Sequence, residues 1–189
     1  MEEAKMTPKS SSRRSGVALA LALSSATVAA APALAASVTV PMTQATPAGP
    51  GASVGQVTLE DGAKGVSIKL DLHGLPPGQH GFHLHDKPSC DPAAGADGKV
   101  TPAGGAGAHF DPDMTKMHMG PDGAGHLGDL PRIEVAADGT AHQTLTETRL
   151  KSVNMFKAHA LMIHAGGDTY SDTPPLGGGG ARLACGVVH

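Results

Sequence analysis

Two runs near the middle of the chain, 54–59 (VGQVTL) and 66–72 (VSIKLDL), alternate apolar and polar residues across the polar, Gly-containing stretch 60–65. A period of two puts one face of a strand against a core and the other in water, so the pair predicts a β-hairpin. Similar short runs occur at 37–40, 81–85, 160–164 and 181–188. Residues 133–135 and 140–146 flank Asp138-Gly139, a strong hairpin-turn signal. Almost no segment carries a helical period longer than two turns. The expected class is all-β, a sandwich or barrel.

The chain has no Trp, one Tyr and three Phe in 189 residues, so Val, Leu, Ile and Met must fill its core. Two connections, 86–131 and 165–180, exceed the length of ordinary hairpin loops, and long structureless loops are usually functional.

The first 35 residues read as an export signal. Arg13-Arg14 precedes an Ala-rich apolar run over 16–31, and Ala33-Leu34-Ala35 gives an A-x-A cleavage pattern. Ser24, Ser25 and Thr27 break the run, which argues against a permanent membrane span. Ser12-Arg13-Arg14 leaves twin-arginine export open beside the general route. Residues 36–52 are expected to be an N-terminal extension and 53–189 the folded domain. Cleavage after Ala35 removes four of the 14 basic and two of the 17 acidic residues, leaving 10 against 15 and a formal charge of −5. No basic patch survives, so neither nucleic acid nor, after cleavage, a membrane is expected as a partner. Export places the protein in the periplasm or outside the cell. An oxidising compartment lets Cys90 and Cys185, the sole two cysteines, join. Two buried free thiols are the alternative. The bridge would be worth roughly 4–5 kcal/mol in the chain-entropy model.

Six histidines and one aspartate concentrate the chemistry. His83 and His85 lie two apart on a predicted strand and share a face, with Phe82 and Leu84 turned to the core. His164 ends another apolar run and offers a third nitrogen. A nitrogen-only set with an open position suits Cu(II), although an exposed polar pair on a half-solvated strand gives the same pattern. His109, His118, His126 and Asp129 supply three imidazoles and a carboxylate, enough for a closed tetrahedral zinc. Gly128, between His126 and Asp129, is expected to ease a bend that turns both inward. Asp113 and Asp122 read as turn residues. His73, His80 and His142 read as surface residues, His159 faces away from His164, and His189 is terminal.

The runs GFHLH, AGAHFDP, MHMGP, GHLGDLP, ALMIHAGGD and PLGGGGARLACGV together resemble the bacterial, periplasmic-type Cu/Zn superoxide dismutases over about residues 53–188. The resemblance implies a Greek-key, eight-stranded β-barrel with a zinc-binding loop and an active-site loop. It implies one copper on His83, His85, His109 and His164, and one zinc on His109, His118, His126 and Asp129, with His109 bridging the two. Asp168 becomes a carboxylate behind one ligand of each metal, and Arg182 the guide for the superoxide anion at the open copper position. Cys90–Cys185 becomes the family's intrasubunit disulfide. The implied reaction turns two superoxide anions into O2 and hydrogen peroxide, in a monomer or a homodimer. A rival reading is an exported copper- and zinc-binding protein that buffers metal without turnover, which would need no open position beside Arg182. Met114, Met117 and Met119 depart from the family pattern around His118. Soft thioethers favour Cu(I), and adaptable packing is the alternative.

Overall fold

The computed structural model describes Met1 and residues 35–95 and 98–189, so nearly all of the expected export signal lies outside the described residues. Among the described residues eleven strands appear in chain order: β1 Ser37–Thr46, β2 Gly49–Gly62, β3 Gly65–Leu72, β4 Gly78–His80, β5 Phe82–His85, β6 Ala93–Ala94, β7 Val100–Thr101, β8 Ile133–Val135, β9 Thr144–Glu147, β10 His159–His164 and β11 Arg182–Val188. The main sheet runs β5-β10-β11-β1-β2-β3-β9, every pair antiparallel. β4 pairs with β8 and is separated from β5 by Gly81 alone. Counting β4 and β5 as one strand bent at Gly81, and setting aside the small β6–β7 hairpin, gives the eight strands of a curled Greek-key barrel. The barrel reading from sequence holds.

The alternation seen in the sequence is the alternation of burial. In β3, Val66, Ile68, Leu70 and Leu72 are buried while Lys69 and Asp71 face water. They join Val57 and Leu59 of β2, Phe82 and Leu84 of β5, and Leu161 and Ile163 of β10 in one core, with Phe82 and Phe156 its largest members. The core is aliphatic, as the composition required.

Two expectations are corrected. Residues 36–52 do not precede the domain as an extension: β1 lies inside the sheet, bonded to β2 on one side and β11 on the other. Its alternating SVTV start carried that signal, and Val40 and Met42 are core residues. The Asp138-Gly139 turn forms, with the Ala136 and Thr140 backbones bonded across it, but its two arms part. β8 pairs with β4, and β9 with β3. The Gln143 side chain instead bonds both backbone groups of Glu134, replacing the missing ladder.

Candidate metal centre

Across an antiparallel pair, opposed residues share a face. His85 lies opposite Ala160 and His83 opposite Met162, so both histidines project away from the core that takes Phe82 and Leu84. The expected split of GFHLH is therefore present. What the sequence did not show is that this outer face is covered: His83 is 0 % and His85 1 % exposed. The cover is the long loop. His109 bridges to His85 and Asp129 to His83 in strand-like pairs, and Leu84 bonds Phe110 and Gly128 through its backbone. Gly128 serves close approach here, in place of the expected bend, since a β-carbon there would stand 2.2 Å from the Leu84 carbonyl oxygen. His164 ends β10 after a register shift that sets it opposite Arg182.

Six buried imidazoles and two carboxylates then meet. Nδ1 of His109, His118 and His126 lie 2.9, 3.0 and 3.2 Å from a single oxygen, Oδ1 of Asp129. On the other side, His85 and His164 bring their Nε2 atoms to 3.3 Å, with their Nδ1 atoms directed to the carbonyls of Gly107 and Gly180. The His109 ring lies between the two sets, 4.0 Å from His83 and 5.1 Å from His85, and 5.5 and 5.3 Å from His118 and His126 (ring centroids). Two groups of four can each hold an ion: His83, His85, His109, His164 and His83, His109, His118, Asp129. His83 enters both because it stands at their junction. Its Nε2 is committed to Asp168, which leaves Nδ1 as its free donor.

Asp168 fixes two rings at once. Oδ2 accepts from Nε2 of His83 at 2.8 Å, and Oδ1 accepts from Nε2 of His118 at 2.7 Å and from the Tyr170 amide at 2.8 Å. Such outer partners set ring orientation and leave the opposite nitrogen for a metal. Nδ1 of His83 and Nδ1 of His118 are buried without an aligned hydrogen bond, and orphaned buried nitrogens of this kind fit metal ligation.

The electrostatics of four rings fit as well, since a ligating imidazole must be neutral, while His118 would give up a proton when a metal binds. Burial pushes His109 down to about 4 and His164 to about 3, the latter helped by the neighbouring rings. His83 and His85 are lowered for the same first reason. At His118 burial also disfavours the charge, but the two nearby carboxylates, Asp129 and Asp168, outweigh it and raise the ring to about 9. Burial alone would raise both carboxyls. A hydrogen bond from His109 and the close His118 ring at Asp129, and hydrogen bonds from His118 and His83 at Asp168, instead hold them well below the usual range.

A cavity of about 180 Å³ opens onto His85, His109, His126, His164, Leu176 and Arg182. A larger one, about 290 Å³ beside Gln44, Pro76 and Leu183, touches none of these histidines. The smaller cavity is the one that meets the chemistry. Arg182 reaches it from the start of β11, its guanidinium donating to the carbonyls of Ala103 and Gly107. Cys90 and Cys185 form a disulfide with Cα atoms 5.7 Å apart, tying that same loop to β11.

These features coincide with a known family. The family description "copper/zinc superoxide dismutase (SODC)" matches residues 53–188. The chain belongs to that family. It is 52 % identical over 164 residues to the Cu-Zn superoxide dismutase of Escherichia coli (strain K12), covering 86 % of this chain and 94 % of the relative. The solved Cu/Zn superoxide dismutase of Brucella abortus shares 50 % identity and superposes with a TM-score of 0.80, covering 82 % of this chain and all of that one. The monomeric copper, zinc superoxide dismutase of Salmonella enterica, solved in solution, is also 50 % identical, with a TM-score of 0.74 and the same coverages. The protein is accordingly a Cu/Zn superoxide dismutase, an oxidoreductase acting on superoxide with copper and zinc as cofactors. Metal buffering without turnover is not favoured.

Sequence reasoning missed part of this dismutase's support. His80, expected at the surface, is 2 % exposed, its ring nitrogens each 2.7 Å from a carbonyl oxygen, of His164 and of Pro76. Asp172 accepts the His118 amide on both oxygens at 3.1 Å. Arg149 donates to the carbonyls of Gly125 and His126. His80 stands three residues before His83, on the far side of Gly81. His73 and His142 are exposed as expected, His142 beside Asp71, and His159 packs on Phe110 away from the cluster.

Proposed function

We propose that His83, His85, His109 and His164 hold the copper of this dismutase, and His109, His118, His126 and Asp129 its zinc, with His109 shared. The observation that carries the assignment is the place of the His109 ring. Nδ1 faces the Asp129 oxygen on which His118 and His126 also converge, while its ring neighbours His83 and His85. Four of the other rings have one nitrogen engaged and one free to ligate. For His83 and His118 the engaged partner is Asp168, and for His85 and His164 it is a backbone carbonyl.

Copper, when bound, supplies alternating one-electron oxidation and reduction of superoxide. The chain's own part is electrostatic and geometric. Arg182 places a fixed cation in a narrow cavity beside His85 and His164, where it attracts and orients a small anion despite the negative net charge. Superoxide dismutases are a known general case of such electrostatic steering, so kinship and charge lead to the same expectation. Holding the guanidinium on the carbonyls of Ala103 and Gly107 keeps it from pairing with a carboxylate and losing that role. His109 is the group placed to hold a proton at Nε2, since Nδ1 faces Asp129.

Export through the first 35 residues to the periplasm or medium is part of the same proposal. It is supported by the disulfide, which persists in oxidising compartments, and by the start of β1 at Ser37, two residues past the expected cleavage. We further propose no nucleic-acid or membrane partner for the mature chain. Its oligomeric state is taken to be a monomer or homodimer, in keeping with the monomeric relative from Salmonella enterica.

Metal content of single variants tests the assignment. His164→Ala is expected to lose copper and keep zinc, Asp129→Ala to lose zinc first, and His109→Ala to weaken both. Retention of both metals in His109→Ala would overturn the bridge. Arg182→Ala, at equal copper and zinc, is expected to lower the dismutation rate about tenfold or more. An unchanged rate would remove Arg182 from the substrate path.

A further inference from the structure

Three of the six methionines outside the first 34 residues fall within six positions on the zinc loop, at Met114, Met117 and Met119. Their exposures are 76, 46 and 44 %, whereas Met42 and Met162 are fully buried in the barrel. These three therefore do no core filling, and a thioether held in water needs another account.

The backbone beneath them is fixed from the inside. His118, between Met117 and Met119, is buried toward Asp129 and Asp168. Met117 and Met119, on either side of it, are exposed. The Met117 carbonyl accepts from the His126 amide at 2.9 Å, and the Met119 amide donates to Oδ2 of Asp129 at 3.1 Å. One residue further out, the Asp111 carboxylate takes the amides of Thr115 and Lys116 and the Thr115 hydroxyl. That clamp holds Met114 and Lys116 at φ 52° and 56°, a left-handed backbone that residues with a side chain seldom adopt. The outcome is three exposed thioethers within six positions on a backbone held by these bonds.

Exposed Asp113, Lys116 and Asp122 break up the surface around the three residues, so no broad apolar face is offered to a protein partner. The carboxylates also favour a cation. Two or three thioethers make a soft donor set, which among biological metals selects Cu(I). We propose that Met114, Met117 and Met119 form a surface site for one soft monovalent copper ion, separate from the two-metal centre. The inference does not depend on the ligand assignment within that centre, because it uses exposed side chains that are not among the buried donors.

The test uses the protein already loaded with copper and zinc. Ag(I), a redox-inert stand-in for Cu(I), is titrated in, and metal content is followed by native mass spectrometry. One Ag(I) per chain is expected beyond an unchanged copper and zinc content. The variant carrying Met114→Leu, Met117→Leu and Met119→Leu is expected to bind it at least tenfold more weakly. Methionine methyl resonances give a second reading without any substitution: those of Met114, Met117 and Met119 should shift with Ag(I), and those of Met42, Met155 and Met162 should not. Absence of an extra ion, uptake only by displacing copper or zinc, equal binding by the variant, or shifts confined to other methionines would each overturn the site.

Discussion

Gly177 and Asp168 are fitted to each other so closely that a β-carbon at 177 would stand 2.2 Å from Oδ1 of Asp168 and 2.7 Å from Nε2 of His118. Gly177 also has φ +69°, and its amide and carbonyl bond Ser171 and Thr169. The active-site loop is thus pressed against the carboxylate that orients one ring of each metal set. Only a residue without a side chain lets the backbone pass there.

Gly177→Ala should therefore act on the metals as well as on the fold. The added methyl must displace Asp168 or the loop, and either movement turns the His83 and His118 rings. Loss of an outer-shell partner typically costs about 10- to 100-fold in metal affinity or activity. Chelator competition on the variant should show weakened zinc first, because His118 loses both its Asp168 contact and its alignment to Asp129. Zinc and copper affinities equal to those of the parent protein would show that the loop yields without moving Asp168.

The disulfide is expected to act through Arg182. Cys185 and Arg182 share β11, and the loop that carries Cys90 also carries Ala103 and Gly107, the acceptors of the guanidinium. The bridge spans 95 positions, so its removal should cost roughly 4–5 kcal/mol in the chain-entropy account. Replacing both cysteines by serine should lower the unfolding midpoint and, at matched copper and zinc content, also lower the dismutation rate. A destabilised variant with full activity per copper would separate the bridge from the placement of Arg182.

The parts of this site that were legible in the sequence are those carried by local period and side-chain chemistry. Alternation in GFHLH put His83 and His85 on one face, and the register of β5 against β10 agrees. The donor types around His118 and His126 indicated a second metal, and the three Nδ1 atoms do converge on Asp129. Three things depended on tertiary contact. The burial of His83 and His85 comes from a loop zipped onto β5 from well downstream, at His109 and Asp129, which no strand-local pattern contains. The Asp138-Gly139 turn is real, but partner choice belonged to β3 and β4, so its arms separate. β1 was hidden because the Pro/Gly/Thr stretch at its end reads as linker, while the pairing that makes it a strand lies at both β2 and β11.

His80 gives a prediction about support at a distance from the metals. Its ring nitrogens lie 2.7 Å from the carbonyls of His164 and Pro76, and a neutral imidazole donates to one of them. His80→Ala should leave that carbonyl unpaired at a cost of about 1–3 kcal/mol. It should also loosen the end of β10, where His164 sits. Reduced unfolding stability with weakened copper and nearly normal zinc is the expected pattern, measured by chelator competition for each metal. Equal weakening of both metals would mean that His80 supports the barrel as a whole rather than His164.

The pH dependence of the metal-free protein follows from opposed shifts in neighbouring rings. His109 and His164 are lowered from 6.5 to about 4 and about 3, first by burial. As pH falls below 6.5 the unfolded chain takes up protons at these rings before the folded one does, so stability is lost from about pH 6.5 down toward 4 and 3. Each group can contribute on the order of 3–5 kcal/mol to that loss. His118 works in the other direction, raised to about 9 by Asp129 and Asp168 against the cost of burial. Its contribution is complete below pH 6.5 and disappears as pH rises through 9. The metal-free protein should consequently be most stable near neutrality and lose stability on both sides. Denaturant midpoints from pH 4 to 10 measure this directly. His164→Leu should flatten the acid limb and leave the alkaline limb, and Asp168→Asn should shrink the alkaline limb and leave most of the acid one. An acid limb unchanged in His164→Leu would assign that loss of stability to other groups.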